Sequence, residues 1–302
     1  MKTLAIQGGG CLGKGQAVAF VELEKRATKP LYQIFGFVGG TSVGAIIGAP
    51  LACGITMSQV NKFFDEDAPV IFSGSFFNTI SQAWGSKYSA APLEAALQNM
   101  LGDRTLADCK TNFIATSYDY ATDRLVFFKS YEPSFEDENC VIIGPDSGIK
   151  LWQVLRASSA AQTYFPAYQL NDMVLMDGGN TGDNAPDLLV LTEAQKFVPV
   201  LQNEMLSVGS GNSKWNVNAG SMANPSVFWA GIETVKLTFS AGESNAVILA
   251  GKNLGSNYYR FVADLGEGYG LDDCSPEAFA GMTKAWQAAI AANPAIFTKF
   301  SS

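Results

Sequence analysis

The sequence predicts an α/β fold, a mostly parallel sheet covered on both faces by helices. Three observations predict it. Short apolar runs alternate with helical stripes along the chain, which is the order a parallel sheet with crossover helices demands. Several apolar runs end in glycine turns, as strands do where they hand over to helices. The 302 residues are 47% hydrophobic and show no repeat, low-complexity segment or linker, so one domain over residues 1–302 is the simplest organisation.

The elements follow in order. Residues 3–7 (TLAIQ) read as a short buried strand. Residues 14–26 read as a helix, with Ala17, Phe20, Val21 and Leu23 on its stripe and Lys25 and Arg26 at the end where cations suit the helix dipole. Residues 34–38 (IFGFV) are a second strand, and a helix of small residues runs from GGTSVGA to about Cys53, closed by Gly54. Residues 63–88 are aromatic-rich and broken by Pro69, Gly74 and Gly85. A helix with Pro92 in its first turn follows, then a strand pair over 112–119 and 124–129 joined by a polar turn. Residues 150–161 are helical, MVLMDGG is a strand ending in a glycine pair, and Pro186 opens another helix. EMLSVGSG is a further strand with a glycine turn. The last helix, about 276–292, has Ser275 as its cap, Pro276 in its first turn and Phe279, Met282, Trp286 and Ile290 on one face.

Composition excludes several functions. The 20 basic against 28 acidic residues leave a net charge of −8, which disfavours a nucleic-acid polymer as partner and strong electrostatic docking on an anionic membrane. Five scattered cysteines, an odd number without a C-x-x-C, argue against a disulfide framework and against zinc; they read as buried small hydrophobes in a reduced compartment. The opening MKTLAIQGGGC is too short in apolar residues for a signal peptide, and no stretch approaches the roughly 18 apolar residues of a membrane span, so a cytoplasmic location is expected. The acidic runs at 65–67 and 136–138 lack EF-hand spacing and read as solvated loops, with no metal and no cofactor expected. There is no histidine, so any mechanism that needs imidazole is excluded.

The strongest chemical signal is Gly40-Thr41-Ser42-Val43-Gly44, a G-x-S-x-G between a strand and a helix. A nucleophile needs such a turn, which holds its hydroxyl out on a strained backbone while the glycines allow close approach. Serine is a weak nucleophile and needs a base. Without histidine that base is a carboxylate or a lysine, and Asp177, before Gly178 and Gly179 at the end of a strand, lies where α/β sheets place their sites.

The opening turn, GGGCLGKG at 8–15, admits three readings. As a P-loop it lacks the hydroxyl after Lys14, where Gly15 stands. As a dinucleotide turn (Gly8, Gly10, Gly13) it lacks an acid roughly 20 residues on, since the second strand ends in Phe37-Val38-Gly39. Its successive N–H groups, backed by a helix N-terminus, suit an oxyanion.

Together GGGCLG, GTSVG some 30 residues later and DGG further on resemble the three motifs of the patatin-like phospholipases. RASSAAQTYFP, DGGNTGDNAP and LSVGSG resemble other stretches of that family, so the likeness spans roughly residues 3–270. The resemblance implies a three-layer α/β/α fold and calcium-independent hydrolysis of lipid acyl esters by a Ser–Asp dyad. It implies Ser42 as nucleophile, Asp177 as base, and backbone N–H groups around Gly9, Gly10 and Cys11 as the oxyanion hole. The substrate would be a membrane phospholipid or other acyl lipid met by peripheral contact; the activator is left unidentified. One departure stands: the family usually carries Arg or Lys where this chain has Leu12, and Lys14 either takes that role or leaves it empty. A catalytically silent lipid- or partner-binding module, and a Ser–Lys hydrolase using Lys14, are the alternatives. Phe63, Phe64, Phe72, Phe76, Phe77 and Trp84 read either as ordinary core or as an acyl pocket or lid.

Overall fold

The computed structural model describes residues 1–73, 86–162, 164–212, 227–266 and 268–302, and the side chains of all these except 227–239. Ten strands form one sheet among the described residues: β1 (Lys2–Ile6), β2 (Phe37–Gly40), β3 (Asn112–Asp119), β4 (Arg124–Lys129), β5 (Phe135–Glu136), β6 (Cys140–Ile143), β7 (Tyr168–Leu170), β8 (Met173–Asp177), β9 (Glu204–Val208) and β10 (Tyr258–Phe261). The main path runs β10-β9-β1-β2-β3-β4-β6-β5, with β8 and then β7 branching from β3. From β10 to β3 every pairing is parallel. The helices are α1 (Gly13–Arg26), α2 (Leu31–Ile34), α3 (Val43–Cys53), α4 (Met57–Lys62), α5 (Ala68–Ile71), α6 (Ala91–Leu101), α7 (Leu151–Ser158), α8 (Asp187–Ala194), α9 (Val227–Leu254), α10 (Pro276–Ala292) and α11 (Pro294–Lys299).

The two-residue period of the central strands sorts their side chains into two cores. Leu4 and Ile6 of β1, Val38 of β2, and Leu206 and Val208 of β9 join the larger core with α1, α3, α4, α6, α7 and α10. Ala5, Phe37 and Met205, their neighbours in sequence, face the other way and pack on Val190 and Leu191 of α8 and Ala250 and Leu254 of α9. Helices thus cover both faces of the sheet, the three-layer arrangement expected.

Two expectations shift. The second strand begins later than residue 34, because Leu31–Ile34 after Pro30 make a helical turn that buries Leu31 and Ile34. Strand β2 extends through Gly40, where Gly40 pairs with Ile6 on one side and Ala115 on the other. Strand β8 is not one of the parallel set; it runs antiparallel to β3, with Asp177 opposite Ser117.

That register sets the site. Ser42 lies two residues beyond Gly40, and Ser117 two residues beyond Ala115, the partner of Gly40. Asp177, opposite Ser117, arrives from the other direction at the same level. The glycine turn after β1 and the Gly209-Ser210 turn after β9 emerge at that same edge, since Ile6 pairs with both Gly40 and Val208.

Candidate active site

Ser42 caps the N-terminus of α3 at φ 56°, ψ −125°, one of three described non-glycine residues with positive φ. A side chain there is strained, and such strain persists only where the surroundings hold it. Strand β2 behind and α3 ahead hold it: every residue of α3 from Val43 to Cys53 is buried. The flanking glycines are required by contact. A Cβ on Gly40 would lie 2.4 Å from the Gly44 carbonyl, and one on Gly44 would lie 2.1 Å from the Ile6 carbonyl oxygen. The Ser42 N–H, turned away from the helix ladder, donates to Ser158 Oγ at 3.0 Å.

Asp177 is 2% exposed. Its backbone N–H donates to the Ala160 carbonyl at 3.1 Å, and its Oδ1 accepts the Gly179 N–H at 2.7 Å. Burial pushes its pKa up to about 6, while the Gly179 N–H, which donates to the carboxylate, and the neighbouring Ser42 hydroxyl pull the other way. Burial therefore makes the Asp177 carboxylate a stronger base than one in water. Gly178 begins the short 3₁₀ turn that follows Asp177. Beyond it, Asp183 accepts the Thr41 hydroxyl on its carbonyl at 2.6 Å, and Asn184 accepts the Gly8 N–H on its carbonyl at 2.9 Å. The aspartate loop is so tied to both the serine elbow and the glycine turn.

The glycine turn lies against the elbow. A Cβ on Gly8 would stand 3.2 Å from Ser42 Cβ, and one on Gly13, which opens α1, 2.5 Å from a methyl of Val43. Gly10 has φ +56° and backs onto the Leu271 carbonyl. The Cys11 N–H donates to that carbonyl at 2.7 Å, so it is already occupied. The Gly9 and Gly10 N–H groups have no protein acceptor among the described residues.

Lys14 does not stand in for the cation missing at Leu12. Its ammonium is buried and held by Asn61 Oδ1 at 2.9 Å and Asp65 Oδ1 at 2.6 Å, while Leu12 joins the core. The Ser–Lys alternative loses its base by the same contacts.

Three further expectations are corrected or bounded. Cys11 and Cys274 form a disulfide, with Cα atoms 5.5 Å apart, where five unpaired thiols were expected; 263 residues separate them, so spacing gave no cue. The run at 65–67 is not a loop but part of a π-helical turn, Phe63–Asp67, where Asp65 pairs with Lys14. Phe63 and Phe64 in that turn are core residues, whereas Phe76, Phe77 and Trp84 lie outside the described residues. Ser158, Asp183 and Asn184 gained their place only here. Ser158 sits in the RASSAA stretch and the other two in GDNAP, so the one available signal was their neighbourhood to motif residues.

A sequence profile described as Patatin-like phospholipase matches residues 4–189, which contain the elbow, the aspartate and the glycine turn. The chain belongs to the patatin-like phospholipase family. Membership makes it a carboxylic-ester hydrolase acting on lipid acyl groups. This patatin-like chain is 30% identical over 264 residues to a cGAMP-activated phospholipase of Pseudomonas aeruginosa, covering 85% of this chain and 76% of that protein. It is 24% identical over 288 residues to the calcium-independent phospholipase A2-gamma of Rattus norvegicus, covering 92% of this chain but 37% of the relative. Among solved structures, VipD from Legionella pneumophila shares the fold at a TM-score of 0.51 and 12% identity, covering 96% of this patatin-like chain and 67% of VipD. Among the described residues no helix is long and apolar enough to cross a membrane.

Proposed function

We propose that this patatin-like chain cleaves fatty-acyl esters of phospholipids through an acyl-serine formed on Ser42, with Asp177 as the base. The observation that carries the reading is a serine on a strained backbone at the same level of the sheet edge as a buried carboxylate, Asp177, whose pKa burial pushes up to about 6. Asp177 takes the Ser42 proton as Oγ bonds to the ester carbonyl carbon. The Gly9 and Gly10 N–H groups donate to the oxygen that gains charge, while Cys11 anchors the turn rather than donating. The C–O bond of the leaving alcohol then breaks, and Asp177 returns the proton to it. Water enters, Asp177 takes its proton, hydroxide attacks the acyl-serine, and the fatty acid leaves as Ser42 recovers its hydrogen.

The test is twofold. A fluorophosphonate probe should label Ser42 in the wild type and nothing in Ser42→Ala. Mixed phospholipid vesicles should release fatty acid with the wild type only. Because the similar Pseudomonas protein is a cGAMP-activated phospholipase, the vesicle assay is run with and without a cyclic dinucleotide. Normal fatty-acid release by Ser42→Ala sinks the proposal.

A further inference from the structure

We infer that Arg260 of strand β10 is a positioning residue of the glycine turn. The inference rests on the proposed Ser42–Asp177 chemistry. Position 12 is an apolar core residue and Lys14 is committed to Asn61 and Asp65. Among the described residues, a fixed cation reaches the residue before the turn from the edge strand β10 instead.

Arg260 pairs in register with Ser207 of the neighbouring strand β9, and its Nη1 donates to the Ser207 hydroxyl at 2.8 Å. Its Nη2 donates to Gln7 Oε1 and, at 3.2 Å, to Glu243 Oε1 of α9. The Gln7 amide then passes the constraint forward: its Nε2 donates to Glu243 Oε2 at 2.7 Å and to Ser210 Oγ at 3.1 Å. Gln7 immediately precedes Gly8. Ser210 presses on Gly9, where a Cβ would fall 2.5 Å from Ser210 Cβ. One guanidinium thus fixes β9, the residue before the turn, and through Gln7 the residue packed behind Gly9, whose N–H is proposed to donate.

Geometry, not net field, is the mechanism. Glu243 lies against Arg260 with both side chains largely covered, at 29% and 18% exposure, so the carboxylate offsets much of the guanidinium's charge. What the guanidinium supplies is a planar fork whose two outer nitrogens reach Ser207, Gln7 and Glu243 together; a lysine ammonium is a single compact donor centre on a flexible stem and does not reproduce that spread. A donor misplaced by a fraction of an ångström loses much of its worth, and loss of a whole oxyanion donor costs about 10²–10³ in kcat.

The experiment compares wild type, Ser42→Ala, Arg260→Gln, Arg260→Lys and Arg260→Ala, the last with and without added guanidinium. The readouts are kcat and KM on a p-nitrophenyl ester of a medium-chain fatty acid and the rate of fluorophosphonate labelling. Each is measured at a temperature where circular dichroism shows the variant fully folded. The expected result is a fall of about 30-fold in kcat for Arg260→Gln, with KM within about 2-fold. Labelling should slow in parallel, Arg260→Lys should recover only part, and guanidinium should raise Arg260→Ala. Unchanged kcat in folded Arg260→Gln, or a loss seen in KM alone, overturns the positioning role and leaves the dyad standing. A kcat loss that vanishes once the variant is fully folded overturns it equally. A wild type that neither hydrolyses the ester nor labels at Ser42 removes the dyad and this inference with it.

Discussion

Ser158 Oγ accepts the backbone N–H of Ser42 at 3.0 Å, so the end of α7 satisfies a donor that the strained elbow turns out of its helix. Replacing Ser158 by Ala removes the acceptor and leaves that N–H without a protein partner. The expected cost is about 1–2 kcal/mol of stability, with kcat falling several-fold as the elbow loosens. Urea unfolding and steady-state kinetics measure both, and a Ser158→Ala enzyme with wild-type kcat would show that the bond only decorates the turn.

Asp177 carries a stability debt. Its pKa is about 6 in the folded chain, against about 4 for an unfolded aspartate, so between these values the folded chain holds a proton that the unfolded chain has lost. Stability from this site is full below pH 4, falls as pH rises through 6, and leaves the buried carboxylate costing about 3 kcal/mol above that. Asp177→Asn should therefore melt several degrees higher than wild type at pH 8 and no higher at pH 4, while hydrolysis drops by about 10³-fold. A lower melting temperature for the Asn variant at pH 8 contradicts the assignment of the burial cost.

The same shift sets the pH dependence of catalysis. A base must be deprotonated to act, so kcat/KM should rise about tenfold per pH unit below pH 6 and level off above it. A profile that is flat from pH 5 to 8 would argue that Asp177 does not titrate in the rate-limiting step.

Gly44→Ala places a Cβ 2.1 Å from the Ile6 carbonyl oxygen, a backbone atom of the central strand that has no room to move. The expected penalty is about 3 kcal/mol or more. Gly48→Ala, one turn later in the same buried helix, meets side-chain atoms no nearer than 3.2 Å and should cost about 1 kcal/mol. Equal melting temperatures for the two variants would show that the elbow relaxes freely.

Cys11 ties the glycine turn to the segment before α10 twice, by its N–H on the Leu271 carbonyl and by its disulfide to Cys274. Cys274→Ser should lower stability by about 2–4 kcal/mol relative to the oxidised wild type. Peptide mapping without reduction should recover the two cysteines as one linked pair. Alkylation of both thiols in native, unreduced protein would overturn the linkage.

Much of this molecule is legible in its sequence because the information is local. The strands at 112–119 and 124–129 stand where a pair joined by a polar turn is expected, and Ser275 accepts the Ala278 N–H at 3.2 Å as an N-cap should. G-x-S-x-G between a strand and a helix nominates Ser42, and the absence of histidine leaves a carboxylate or a lysine as base, with Asp177 and Lys14 the candidates. Packing across distant segments decided the rest. It committed Lys14 to Asp65, closed Cys11 to Cys274, filled the Cys11 N–H with the Leu271 carbonyl, and set Arg260 behind Gln7. None of these pairs leaves a periodic trace, because a contact between residues dozens to hundreds of positions apart depends on strand order and register. The proposed Ser42–Asp177 pair is the clearest case: the two residues could be nominated from the sequence. Only an antiparallel β8, pairing Asp177 with Ser117 beside β2, brings that carboxylate level with Ser42 and buries it.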